Sequence, residues 1–135
     1  MPKLIPTPDE LSQPFWDAVQ QQKLLVQQCS ACNTLQYPPK AACQDCGSDK
    51  LDWHETNGKG HVLEFVVLQD THLPYRGPDQ PINLAIVTLD EDPRINFFSN
   101  MPGEAPFEVP VGAAVEVMFE ELPDGSLIHE WRRAQ

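Results

Sequence analysis

Apolar and polar residues alternate along most of the chain, which is the pattern of half-buried β-strands. Three short segments of this kind lie in the first half, at 24–28, 35–37 and 51–55. The segments of the second half are longer and lie at 61–68, 82–89, 94–100, 114–120 and 127–131. A turn-forming stretch, Asn57–Gly60, separates the two groups. The pattern therefore predicts two small β-structures that meet near residue 58.

Helical spacing occurs near the N-terminus. Leu11, Phe15 and Val19 recur every four residues, which places them on one face of a short helix that ends near residue 22. Phe15 and Trp16 are large side chains for a helix of this length. They are expected either to pack on the module that follows or to contact a partner or ligand, and the sequence leaves both open.

The four cysteines of the chain form one cluster, Cys29-x2-Cys32 followed by Cys43-x2-Cys46. A Cys-x2-Cys turn brings two thiolates to one side of the backbone, and two facing turns complete a tetrahedral metal site. This spacing predicts one structural Zn²⁺ per chain, although four thiolates also suit iron. Because four protein ligands leave no open coordination position, a catalytic metal is not expected.

Predicted strands flank both cysteine turns, which is the arrangement of a zinc ribbon. The five strands that follow fit a Greek-key barrel of the OB type, with a generic small barrel as the alternative. Residues 101–113 contain three prolines and two glycines and are predicted to form a loop rather than a helix. We therefore predict a mainly β protein with an N-terminal arm and helix at 1–22, a rubredoxin-like zinc ribbon at 23–57 and an OB-fold domain at 58–135.

Charge limits the partners that this chain can bind. Its 135 residues include 20 Asp and Glu against nine Lys and Arg, so the formal net charge is −11. Such a surface repels the phosphates of nucleic acids. No apolar run reaches the ~18 residues of a membrane span, and residues 1–10 lack a secretory-signal pattern. We expect a cytoplasmic protein that binds neither nucleic acid nor membrane and that keeps its thiols reduced.

The sequence contains none of the short motifs typical of catalytic or phosphate-binding sites. Its histidines do not pair with a nucleophile in sequence, so we expect function to come from binding. The long Pro-rich loop at 69–81 carries Tyr75 and Arg76, and Arg76 is the one cation between Lys59 and Arg94. Arg76 is a candidate phosphate contact, with an exposed side chain of no particular role as the alternative.

Several segments, taken in order, resemble one known family. They are Phe15-Trp16, Lys23-Leu24, Cys29–Cys32, Leu35–Lys40, Cys43–Ser48, Leu51–Trp53, Asn57–Val62, Pro81–Leu89 and Val109–Phe119. They resemble the OB-fold, zinc-ribbon proteins that accompany thiolases and related acyl-CoA enzymes, long classed as a domain of unknown function. The resemblance spans nearly the whole chain. It departs at Asn33 and Asn57, where Gly and Ser are common, but both residues tolerate turn geometry.

The resemblance implies a non-catalytic subunit of a thiolase-type enzyme, which performs Claisen or retro-Claisen chemistry on acyl-CoA thioesters. Its partner would be a thiolase-like or hydratase-like protein, and this chain would stabilise that partner and border the entrance for the CoA thioester. Candidate contacts for partner or ligand are Phe15, Trp16, Tyr37, Tyr75 and Arg76. An OB module for single-stranded nucleic acid and a free-standing enzyme are the alternatives.

Overall fold

The computed structural model describes residues 5–69 and 81–135. These residues form one helix, α1 (Gln13–Gln20), and eight strands. The strands are β1 (Leu25–Cys29), β2 (Leu35–Gln36), β3 (Leu51–Glu55), β4 (Lys59–Leu68), β5 (Ile82–Leu89), β6 (Asn96–Ser99), β7 (Ala114–Glu121) and β8 (Leu127–Arg133). Every predicted strand is present, with bounds within two residues of those predicted. No helix in the described ranges is long and apolar enough to span a membrane.

Short polar side chains precede α1 and satisfy free backbone amides there. The Ser12 amide donates to Asp9 Oδ1 at 2.8 Å, and the Asp9 amide donates to Ser12 Oγ at 3.1 Å. Pro14 follows in the first turn, where an N–H would have no intrahelical partner. The helix ends at Gln20, slightly before the predicted end, and Gln22 then takes a left-handed φ of 60°.

The first three strands form an antiparallel sheet in the order β2-β1-β3. The central strand β1 pairs with β3 over its whole length, from Leu25 opposite Glu55 to Cys29 opposite Leu51. The cysteine turns extend from this sheet, because Cys29 is the last residue of β1. The sheet therefore provides the frame of the predicted zinc ribbon.

The other five strands form a second antiparallel sheet in the order β6-β5-β4-β7-β8. This is the strand order of a five-stranded Greek-key barrel, and the sheet curls into a half-barrel. A β-bulge between Val62 and Glu64 lets β4 bend and pair with both β5 and β7. Within the described residues no ladder joins β6 to β8. The β6–β7 connection contains turns and no helix, as predicted.

One hydrophobic core runs through the helix, the ribbon and the half-barrel. Its buried members are Phe15, Val19, Leu24, Val26, Val62, Ala85, Val87, Leu89, Ile95, Phe97, Met101, Val109, Val115 and Trp131. Leu35, Tyr37 and Trp53 of the ribbon pack against it. The parts predicted as separate segments therefore share their interior.

The turn between β5 and β6 also ties the half-barrel to the ribbon. The Glu91 carboxylate lies 2.8 Å from His54 Nε2 of β3, and its other oxygen accepts the Asn57 amide at 2.6 Å. Arg94 donates to Asp45, beside the second cysteine turn, at 3.1 Å. These contacts fix the orientation of the ribbon on the sheet.

Candidate metal centre and surrounding contacts

The four cysteine side chains converge on one point between the two turns. Their Sγ atoms all lie within 4.8 Å of one another. Cys29 and Cys46 are 3.6 Å apart, and so are Cys32 and Cys43. Cys29 and Cys43 are buried, whereas Cys32 and Cys46 are exposed. The four residues selected by spacing are therefore positioned to bind one metal ion.

The two turns have the same backbone geometry. In the first, the Asn33 amide donates to the Cys29 carbonyl at 2.8 Å, and in the second, the Gly47 amide donates to the Cys43 carbonyl at 3.0 Å. Asn33 has a φ of 63° and Gly47 one of 76°. Asn is one of the few residues other than Gly that enters this left-handed region readily. The departure at Asn33 therefore leaves the turn intact.

The sulfur positions fit a tetrahedral metal ion. With Zn–S bonds of about 2.3 Å, tetrahedral geometry separates neighbouring sulfurs by about 3.8 Å. The two short Sγ–Sγ distances of 3.6 Å are close to that value. Since all four positions are taken by protein ligands, a bound Zn²⁺ would support the fold and would not bind substrate.

Polar neighbours of the cluster influence its protonation. Hydrogen bonding to the side chain and then the backbone of Thr34 lowers the pKa of Cys32 to about 6. The Ser48 amide lowers the pKa of Cys46, but the neighbouring thiols of Cys29 and Cys32 outweigh it and raise this pKa to about 12. The raised pKa of Cys46 favours its protonated form, so binding of a metal ion to this thiol is expected to release a proton.

The candidate partner contacts occupy different environments. Phe15 is only 2% exposed, and its ring packs on that of Tyr37 at a centroid distance of 5.5 Å. Tyr37 lies 4.2 Å from Phe97 of β6, so it joins ribbon to half-barrel. Trp16 is half-buried and lines a surface groove. Tyr75 and Arg76 lie outside the described residues, and a partner contact at any of these side chains stays a prediction.

His129 is half-buried among aromatic rings. Its imidazole lies 5.5 to 5.7 Å from Phe15, Trp16 and Phe97. Burial lowers the pKa of His129 to about 4, so the ring is neutral at pH 7. Its Nδ1 has no hydrogen-bond partner within the described part of the chain. The alternation along β8 already places residues 127, 129 and 131 on one face, which is the sequence signal for this inward position.

A groove of about 300 Å³ lies beside this aromatic cluster, where β6 faces β8. Its residues come from the N-terminal arm, α1, β5, β6 and β8. They are Pro6, Trp16, Ile82, Asn83, Leu84, Phe98, Ser99, Asn100, Ile128, His129 and Glu130. The sequence pattern alone does not predict the groove, because the groove depends on which two strands form the edges of the sheet.

A closed four-cysteine ribbon that shares its core with a half-barrel places the chain among the zinc-ribbon, OB-fold proteins. Family comparisons narrow this class. Residues 16–52 match the family described as ChsH2, rubredoxin-like zinc ribbon domain. Residues 53–120 match the one described as ChsH2, C-terminal OB-fold domain. The chain belongs to this ChsH2-type family, which is also known as DUF35.

Similar proteins include subunits of acyl-CoA enzymes. A probable enoyl-CoA hydratase alpha subunit of Thermomonospora curvata is 36% identical over 102 residues, which are 75% of this chain and 31% of that protein. The 3-oxo-4,17-pregnadiene-20-carboxyl-CoA hydratase alpha subunit of Mycobacterium tuberculosis is 31% identical over 113 residues, or 84% of this chain and 35% of that protein. This chain thus spans about a third of the length of either relative.

A solved structure matches over nearly the full length. It is described as the Ltp2-ChsH2(DUF35) aldolase, and the similar chain is 28% identical with a TM-score of 0.85. The match covers 97% of this chain and all of that one. Fold and family are therefore those implied by the sequence resemblance.

Proposed function

We propose that this chain is a non-catalytic subunit of an acyl-CoA enzyme complex, in which it stabilises a partner of the thiolase type and borders the entrance of the CoA thioester. The observation that carries the proposal is the full-length match to a chain of the Ltp2-ChsH2(DUF35) aldolase, with a TM-score of 0.85. The two hydratase alpha subunits support an acyl-CoA substrate and make a hydratase-like partner the second candidate.

The positions of the three histidines in the described part of the chain support a role in binding rather than catalysis. His54 is paired with Glu91 and His61 with Asp90, at 2.8 and 3.3 Å. The ring of His129 packs against aromatic side chains, and its lowered pKa of about 4 keeps it neutral at pH 7. A general base needs a reacting group within hydrogen-bond reach, but His54 and His61 are already paired with carboxylates and His129 packs against aromatic rings. The reacting groups are therefore assigned to the partner.

The negative charge of this chain indicates that the partner subunit provides most of the contacts to the phosphates of CoA. CoA carries several phosphate charges, whereas this chain has a net charge of −11. Most phosphate contacts are therefore expected from cations of the partner. The contribution of this chain would be to shape the entrance and to hold the partner in its active conformation.

Co-expression with a thiolase-like and, separately, a hydratase-like subunit tests this proposal. Size-exclusion chromatography with light scattering should reveal a stable complex with one of them. Acyl-CoA turnover should require both subunits and should be absent from this chain alone. A chain that elutes alone while the partner is fully active without it contradicts the proposal, and so does turnover by the isolated chain. Salt-dependent binding of single-stranded DNA would favour the nucleic-acid alternative.

A further inference from the structure

The half-barrel ends in two strands, β6 and β8, that lack a neighbour on their outer sides within the described residues. In an antiparallel strand, the N–H and C=O of one residue point to the same side, and successive residues alternate. The residues that form backbone hydrogen bonds with the neighbouring strand therefore show which residues in between have backbone groups that point outward.

On β8 the backbone N–H and C=O groups of the odd-numbered residues point away from β7. The reason is that even-numbered residues bond toward β7: the Ser126 carbonyl accepts the Leu122 amide, and the Ala134 amide donates to the Ala114 carbonyl. The groups of Leu127 accordingly point outward, and both are bonded by one side-chain amide of α1. Gln20 Oε1 accepts the Leu127 amide at 2.8 Å, and Gln20 Nε2 donates to the Leu127 carbonyl at 2.9 Å. An amide thus takes the place of a neighbouring strand at this point.

On β6 the backbone N–H and C=O groups of the even-numbered residues point away from β5. The Leu89 amide donates to the Ile95 carbonyl at 3.1 Å, so Ile95 faces β5, and Phe97 and Ser99 do the same. The backbone groups of Phe98 therefore point to the open side of the sheet. The Phe98 side chain is 65% exposed. Among the residues that the structure describes, strand β6 consequently offers both an unpaired backbone edge and an exposed aromatic ring at Phe98.

The groove between these edges combines apolar walls with polar backbone. Its walls carry Trp16, Leu84, Phe98 and Ile128. An extended polypeptide can bond to a strand edge through its main chain and insert alternate side chains into such walls. Exposed apolar side chains beside an unpaired edge are otherwise an aggregation hazard, which argues for a partner that covers them.

The charges of the groove and of the whole chain indicate which kind of polypeptide segment would bind in the groove. The described residues that line the groove include Glu130 but no Lys or Arg. The Arg132 and Arg133 side chains at the end of β8 form ion pairs with Glu116 and Glu104. With a net charge of −11 on the whole chain, the complementary segment is apolar at alternate positions and carries Lys or Arg between them.

We propose that the groove is the docking site for an extended, basic segment of the acyl-CoA enzyme subunit, which adds as a strand to the free edge of β6 at Phe98. This assignment rests on the proposed function, since it identifies the face through which that partner binds. The opposite wall, formed by α1 and β8, then encloses the apolar side chains of the segment.

The test uses the complex of this chain with the acyl-CoA enzyme subunit that co-purifies with it. Amide hydrogen exchange should slow at Phe98 on complex formation. Phe98→Ala keeps the outward N–H but removes the ring, and it should weaken association about tenfold. Phe98→Pro also removes the N–H, which β5 does not use, and should weaken it by about another tenfold. Val111→Ser is the control, because Val111 is 54% exposed and lies outside the groove.

The outcomes separate this inference from the proposed function. A stable complex in which Phe98 is not protected, and in which both variants bind as tightly as the wild type, overturns the docking site and leaves the proposed function standing. Failure to form a complex with any thiolase-like or hydratase-like subunit overturns both. If Phe98→Pro does not fold, exchange at Phe98 in the wild-type complex and the Phe98→Ala affinity still decide.

Discussion

Truncation of Phe15 is expected to destabilise the ribbon and the half-barrel together. The Phe15 side chain is 2% exposed. Its ring contacts Tyr37 of the ribbon and His129 of β8, both at 5.5 Å, as well as Trp16 at 5.1 Å. Phe15→Ala therefore opens a cavity at the junction of all three parts of the chain.

The free energy lost on truncation of Phe15 can be compared with the total free energy of unfolding. A buried Phe→Ala change costs about 3–5 kcal/mol, and a chain of this length is expected to have about 7–20 kcal/mol in all. With a urea dependence of about 2 kcal/mol per molar, the unfolding midpoint should fall by about 2 M. The variant should still fold in buffer but with a much smaller margin.

Urea unfolding with two readouts measures this effect. Far-ultraviolet circular dichroism follows both sheets, and metal release to a chromophoric indicator follows the ribbon. Both transitions should shift by the same amount, because the core is shared. Leu11→Ala is the control, since Leu11 is 39% exposed and its truncation should cost less than about 0.5 kcal/mol. A loss below about 1 kcal/mol, or a shift in one readout alone, would refute the reasoning.

Three further predictions concern metal, pH and strand packing. Removal of the metal by a chelator should unfold β1–β3 and reduce the circular dichroism signal, which added Zn²⁺ should restore; an unchanged spectrum would contradict a structural role. The pKa of His129 falls from 6.5 to about 4 on folding. The neutral ring therefore makes its full contribution to the free energy of unfolding above pH 6.5. As the pH falls to about 4, the free energy of unfolding should decrease by roughly 3 kcal/mol. His129→Phe should flatten this part of the pH–stability curve, and an unchanged curve would assign the effect to other groups. Gly60→Ala would place a Cβ 2.9 Å from Val87 Cγ1 and against the Thr88 carbonyl, so it should cost about 1–3 kcal/mol in urea unfolding, whereas Gly103→Ala, with open space around it, should not.

Local features of the sequence account for most of the fold. Strand positions follow from alternation, because a strand with one buried face must alternate its side chains. The metal ligands follow from Cys-x2-Cys spacing, because the turn that holds two thiolates is local. At Asn33 even the departure from the family pattern could be judged from backbone preference, and the observed φ of 63° agrees with it.

Contacts between distant parts of the chain could not be predicted in the same way. The pairing of Tyr37 with Phe97 depends on how the ribbon sits on the sheet. The local sequence of the acidic turn that follows β5 does not indicate that Glu91 bonds to His54 and to the Asn57 amide. Residue type and spacing do not specify such long-range partners, since an acidic turn that is fully exposed to solvent would have the same local sequence pattern.

The shared core links the candidate metal centre to the proposed docking edge. Cys29 ends β1, and the ribbon that it helps to close carries Tyr37. The Tyr37 ring rests on Phe97, the residue next to Phe98 in β6. Metal binding therefore supports the inner face of the strand whose outer edge is proposed to receive the partner. In this arrangement a closed metal site with no open coordination position can still affect an acyl-CoA enzyme, because it keeps the binding edge in place.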